Sequence, residues 1–242
     1  SRLHKAPKRY APSLGKIFKF ILIFKKMNLK LNKIIKYLVL SDLIFYTGWG
    51  LISPIFAIFV LDLIVGGTAF VVGLAAGISL IVRSVLRIPF GIYADKGQKI
   101  SYHLMFYGLF ISALVPIGYI YSSTPWHIYI LQAILGASLA MSSSGWTCLY
   151  SRHMDRGKES TEWGIDAVAV GIGPGIAGIL GGAALTYFSF DKVFIGTTIF
   201  GLIGVFTLLI VKKDILKKKH LLSTFVLRRA FRKYINHNHR VN

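Results

Sequence analysis

Asp42, Tyr46, Trp49 and Ser53 recur at intervals of four, three and four, so on a helix they form one stripe, which ends beside Pro54. Gln132, Gly136, Ser143 and Trp146 repeat the theme further along the chain. Two helices with polar and aromatic stripes can line a water-filled cavity that binds a small amphiphile, using ring faces for stacking and a few hydrogen bonds for orientation. A purely structural reading competes with this one, because Ser, Tyr and Trp in apolar helices often bond a neighbouring backbone.

Ionisable residues within apolar stretches are the sharper clue, since each costs a few kcal/mol or more unless it is paired or hydrated. Arg83 and Arg87 lie four apart, hence on one flank of a helix. Counting about 1.5 Å per residue from the nearer end, Arg87 sits roughly 6 Å deep and Arg83 roughly 12 Å. Asp42 and Asp166 fall at about the depth of Arg87, so pairing of Arg87 with either is geometrically open. Snorkelling to the surface explains Arg87 well and Arg83 poorly.

Catalytic chemistry finds no such support. The sequence has no G-x-x-x-x-G-K-[ST] loop, no H-E-x-x-H and no G-x-S-x-G. Its seven histidines do not cluster within the apolar stretches, and His237 and His239 lie near the C-terminus. The single cysteine, Cys148, excludes an intramolecular disulfide and a multi-cysteine zinc site. Neither an enzyme nor a metal site nor a cofactor is expected.

The elements that position these residues follow from composition. Of 242 residues, 54% are hydrophobic and only 16% charged, against roughly a quarter charged in ordinary globular proteins. Six apolar stretches, at about 37–63, 68–91, 101–122, 126–150, 163–188 and 193–211, are each long enough to cross a bilayer. They lack the alternation of a barrel strand and must satisfy their own backbone hydrogen bonds, which predicts an all-α membrane protein of six transmembrane helices. Thr124 then Pro125 reads as an N-cap followed by a first-turn proline. Tyr121, Trp126, Tyr150 and Trp163, near span ends, fit interfacial belts.

The formal charge is +20, and 21 of the 29 Lys and Arg precede Tyr37 or follow Val211. The connections that carry Lys96, Lys99, Arg152, Arg156 and Lys158 fall on the same side as both basic ends, while Lys192 stands alone opposite. The positive-inside bias therefore places both termini in the cytoplasm. Residues 1–36 form a basic cytoplasmic segment. Within it, residues 17–24 make an apolar run too short to span, suited to a surface helix on anionic lipid; the alternative is a native start at Met27. Residues 212–242 read as a basic cytoplasmic tail or linker, with Leu221, Leu222, Phe225, Val226 and Phe231 suited to another surface helix. Nucleic acid is not an expected partner, because the positive-inside bias already explains the charge.

Small residues supply the packing. Gly171, Gly175, Gly178 and Gly182 share one face of the fifth span, and Asp166, Ala169, Gly173 and Ala177 share another, so this helix is expected to be wedged between two neighbours. Pro174 removes one of its internal hydrogen bonds. Gly73 with Gly77, and Gly136 with Ala140 and Ser144, form similar seams.

The connection after the second span contains Gly91, Asp95, Lys96 and Gly97. It resembles the signature loop of the major facilitator superfamily, G-x-x-x-D-[RK]-x-G-[RK]-[RK], with one residue fewer before Gly97. The fifth span, with Gly173 and Pro174 ahead of Ala177 and Gly178, is similar to the family's Gly-Pro motif, typical of its efflux members, and Pro54 falls where the family often has a first-span proline. The sequence departs from the family at Gln132, where an arginine is usual, and at Ala169, where a glycine is. The resemblance covers 37–211, one six-helix half of a twelve-helix transporter.

This resemblance implies secondary transport of a small solute, with export as one form of it, by alternating access in the plasma (inner) membrane. Spans one and four would line the cavity, two and five would meet a second half, and three and six would face lipid. Asp42, Tyr46, Trp49, Ser53, Arg83, Gln132, Ser143 and Trp146 are the expected cavity residues. Coupling and gating would fall to Asp166, Arg87, Gly91, Asp95, Lys96, Gly173 and Pro174. Asp42 or Asp166 would carry protons, and the Asp95 carboxylate would aim at a helix N-terminus as part of a cytoplasmic latch between halves. The second half would belong to the same longer chain, of which this is a truncated piece, or to a second copy. The rival from another class is a non-transporting membrane scaffold or receptor subunit whose basic tails bind lipid.

Overall fold

The computed structural model describes residues 31–238, with side chains over 31–216. The apolar run at 17–24, Met27 and His239 lie outside the described residues, as do the side chains of Leu221, Leu222, Phe225, Val226, Phe231 and His237. Seven helices follow in order: α1 Lys33–Ile52, α2 Phe56–Leu63, α3 Ala69–Asp95, α4 Gln98–Ile120, α5 Pro125–His153, α6 Glu159–Ala184 and α7 Phe190–Asn238. No strand occurs among the described residues. Six segments are long and apolar enough to cross a membrane, with α1 and α2 together forming the first, Lys33–Leu63, and α7 supplying the last, Phe190–Leu216.

Local chemistry sets the boundaries. The Asn32 side chain caps α1 by accepting from the Ile34 amide at 3.1 Å, and the Thr68 hydroxyl caps α3 by accepting from Val71 at 3.3 Å. Thr124 is the N-cap of α5, with Pro125 in its first turn. The first span, expected as one helix over 37–63, is two. Pro54 has no N–H to give to the ladder, so the chain turns at residues 53–55 before α2 resumes. The connection after the fifth span is residues 185–189, earlier than expected, because α7 already begins at Phe190. Helix α7 continues past Val211 and runs through 49 residues, roughly 70 Å at about 1.5 Å each, well beyond an apolar bilayer core of about 30 Å.

The first three spans and the last three exchange partners. Helix α1 packs on α6 and α7, while α5 packs on α3 and α4, and α4 meets α7. Matching glycines permit matching approaches. A Cβ on Gly145 of α5 would strike Ser101 and Met105 of α4, and one on Gly108 of α4 would strike Ser138 and Ser142 of α5. In the other set, Gly48 of α1 meets Thr197 and Phe200 of α7, and Gly204 of α7 meets Ser41 and Phe45 of α1. At these crossings hydroxyls bond exposed carbonyls: Thr197 donates to Gly48 at 3.0 Å and Ser41 to Gly204 at 2.8 Å. Close backbone approach and such bonds hold helices together where lipid supplies no hydrophobic drive.

Two helices are left largely uncovered. Only 11% of the most apolar stretch of α3 and 17% of that of α6 is buried, against 39 to 50% in the other spans. Most of the glycines expected to form seams on these two helices are open, Gly178 excepted, which lies 3.6 Å from the Gly50 carbonyl oxygen. Nothing in the described chain lies within 4 Å of a Cβ built on Gly73, Gly77, Gly171, Gly175 or Gly182. Among the described residues helix α6 is thus packed on one side only. It packs through its other small face, where Gly173, Ala177 and Gly181 meet α1.

Candidate functional site

Helix α1 carries its polar stripe between two cavities that meet at Tyr46. One, about 330 Å³, lies between α1, α2, α4 and α5, and is lined by Tyr46, Trp49 and Ser53 of the stripe together with Gln132, Phe45, Ile52, Phe56, Tyr119 and Leu139. The other, about 390 Å³, holds Asp42, Arg83, Arg87, Ser143, Trp146 and Asp166, with Tyr46, Ser142, Thr147, Trp163 and Val170 completing its wall. All eight expected cavity residues border one volume or the other, as do Arg87 and Asp166. Every formal charge lies on one side of Tyr46.

Close packing fixes these positions. Helix α3 crosses α5 at Gly136, where a Cβ would collide with the Ser79 carbonyl and come 3.2 Å from the Arg83 amide nitrogen. That crossing places Arg83 beside the α5 stripe. One turn further, Ser144 donates to the Arg87 carbonyl at 3.2 Å. On the opposite wall, Gly173 lies against Thr47 and Leu43, and a Cβ on Gly50 would come 2.6 Å from Pro174. Gly173 and Pro174 therefore form the seam between α1 and α6, and that seam brings Asp166 to the cavity that Asp42 borders.

Within the charged cavity, the expected pairing of Arg87 with an aspartate is not found. Asp42 and Asp166 are 6% and 8% exposed, yet no cation lies within 4 Å of either among the described residues. The two carboxyl groups border the same volume, and Arg83 lies beside the Tyr46 hydroxyl instead. Two buried acids and two bases thus face one volume without being locked together. This arrangement lets a small shift of either wall change which charges meet, at an energy that grows as the local dielectric falls.

Aromatic rings from α5 and α6 floor this cavity. Trp146 stacks on Tyr150 with centroids 4.4 Å apart, and Trp163 closes on Tyr150 at 5.0 Å. Tyr150 is fully buried and its hydroxyl donates to the Glu162 carbonyl at 2.5 Å. Tyr150 is thus enclosed by protein, whereas Tyr121 and Trp126, 80% and 73% exposed, lie outside. Four buried polar atoms have no protein partner here: the Trp49 Nε1 and Tyr119 hydroxyl in the apolar cavity, and the Trp146 Nε1 and one Asp166 oxygen in the charged one. Tyr119, Phe56, Thr147 and the cavity-facing role of Trp163 escaped the sequence reading. Tyr119 sits on a helix whose apolar residues surround it on all sides, so spacing gives no signal for it.

The loop after α3 lies apart from both cavities. Asp95 is exposed, and its carboxylate is 3.9 Å from the Arg152 guanidinium, which also donates to the Asp95 carbonyl at 3.1 Å. Lys96 lies over the Tyr93 ring at 5.1 Å. Within this six-helix half the Asp95 carboxylate lies beside Arg152 in the last turn of α5, and no side chain caps the N-termini of α4 and α6. Gly91 is uncovered, with nothing within 4 Å of a Cβ there.

A family model, described as Major Facilitator Superfamily, matches residues 38–237. It runs beyond the resemblance read from the sequence and takes in most of α7. None of the curated proteins compared with the chain matches it. Six apolar helices, partner exchange between the two sets of three, and a family match over most of the length agree. The chain is an integral membrane protein that belongs to the major facilitator superfamily of transporters, and its six spans fit one six-helix half of such a transporter.

Proposed function

We propose that the chain moves a small solute by secondary active transport and alternating access, with the cavities on either side of Tyr46 as its path. The observation that carries this reading is the charged volume itself, in which Asp42 and Asp166 are buried with no cation within 4 Å among the described residues. A carboxyl group kept in a protein-lined crevice and free of a fixed partner is suited to take a proton from one side and release it on the other. Arg83 and Arg87 then serve as mobile countercharges. Asp166, joined to α1 through the Gly173 and Pro174 seam, senses movement of that wall.

The uncovered faces of α3 and α6 would meet a second six-helix half, either in the same longer chain or in a second copy. Gly91, Asp95 and Lys96, tied to α5 through Arg152, would form the latch at the basic end. That end faces the cytoplasm in this reading, in a plasma (inner) membrane, and the Gly-Pro seam favours export. A scaffold or receptor subunit would have no use for charges that share a cavity unpaired.

Charge reversal separates the two readings. Asp95→Lys and Arg83→Glu are expected to abolish uptake or efflux while membrane insertion and yield stay unchanged. Unchanged flux in both variants would favour the scaffold.

A further inference from the structure

The apolar cavity holds no formal charge, yet it contains three polar groups in need of partners. The Trp49 indole nitrogen and the Tyr119 hydroxyl are buried without one, and the Gln132 amide, 7% exposed, bonds no protein group among the described residues. Buried donors are rarely left unpaired, so the Trp49 nitrogen and the Tyr119 hydroxyl around one apolar volume, with the Gln132 amide beside them, point to a molecule that supplies what they lack. The indole N–H can only donate, which calls for an acceptor, while the Gln132 amide offers a donor and an acceptor together. Phe56 and the rings of Trp49 and Tyr119 present apolar surface to the body of that molecule. An anion would meet no cation in this volume and a cation no carboxylate, because both kinds of charge lie beyond Tyr46.

From this we infer that the apolar cavity takes an uncharged solute with a flat, apolar body and a hydrogen-bonding edge that accepts from Trp49 and pairs with Gln132. The inference rests on the transport reading and names its class of substrate. Charge handling and solute recognition are thereby divided between two volumes that share Tyr46. At about 330 Å³, the cavity is within the range of small-molecule sites.

The test uses the full 242-residue chain in lipid nanodiscs and three probes of one shape: 2-naphthamide, 2-naphthoate and 2-naphthylmethylammonium. Equilibrium dialysis is expected to find saturable binding of the amide, at least about tenfold tighter than that of either ion. Trp49→Phe keeps the ring and removes the N–H, and should weaken amide binding about tenfold. Gln132→Arg should shift preference to the naphthoate. Equal binding of all three probes, preference for an ion, no binding of the amide, or indifference to Trp49→Phe would each overturn the inference. Labelling of Ser53→Cys and Ser143→Cys by a membrane-impermeant maleimide reads the crevice without any solute. A labelled crevice with no preference for the amide removes the substrate class alone, whereas an unlabelled one removes the transport reading beneath it.

Discussion

Gly50 and Pro174 touch backbone to backbone: a Cβ on Gly50 would stand 2.6 Å from both the Cα and the carbonyl oxygen of Pro174. Neither atom can swing aside, so the seam between α1 and α6 tolerates no side chain at that point. Gly50→Leu is therefore expected to destabilise the bundle by about 3 kcal/mol or more, read as a lower melting temperature and loss of a monodisperse peak in detergent. An unchanged melting temperature would mean that the two helices do not pack through this contact.

The open face of the same helix should respond in the opposite way. No atom of the described chain lies within 4 Å of a Cβ on Gly171 or Gly175, so Gly175→Leu should leave the melting temperature of this chain within a degree or two. If α6 meets a second six-helix half, the same variant should lower flux at least about tenfold, by blocking close approach across that face. Full flux in Gly175→Leu would show that the glycine face meets only lipid.

Asp42 and Asp166 border one cavity from the two sides of the Gly173 and Pro174 seam, Asp42 on α1 and Asp166 on α6. Asp166→Asn is expected to reduce flux driven by a pH gradient at least about tenfold, while exchange of solute without a gradient continues. Asp42→Asn should do the same if both acids share the proton. Gradient-driven flux that survives both substitutions would assign coupling to another ion or another residue.

The pair formed by Asp95 and Arg152 is 3.9 Å long, with side chains 76% and 36% exposed. A pair so exposed is worth less than about 1 kcal/mol. Arg152→Ala should therefore hardly move the melting temperature, yet slow turnover if the loop acts as a latch. A large loss of stability without a change in turnover would make the contact structural.

The number of spans, their approximate ends and the cavity stripes were legible in the sequence because apolar runs and helical spacing record them directly. Asp42, Tyr46, Trp49 and Ser53 lie on one face by arithmetic alone, and each borders one of the two cavities that meet at Tyr46. What spacing cannot say is which of two small faces meets a neighbour. Gly171 and Gly175 look as suitable as Gly173 and Ala177, and only the approach of Thr47 and Leu43 decides between them. The burial of Tyr150 was hidden for a similar reason, since a tyrosine near a span end is equally at home at an interface or under Trp146. Partner exchange between the two sets of spans leaves almost no trace in residue identity, because it is written in the matched positions of Gly48, Gly108, Gly145 and Gly204.

The most direct test is aqueous access to the path itself. The only native cysteine, Cys148, is buried and shielded by Ser101, so Tyr46→Cys, Trp49→Cys and Gln132→Cys can each be labelled in intact membranes against a quiet background. Alternating access requires all three to react with a membrane-impermeant thiol reagent from at least one side, with the reactive side changing when the driving gradient is reversed. Three positions that never react from either side would contradict a solute path through Tyr46.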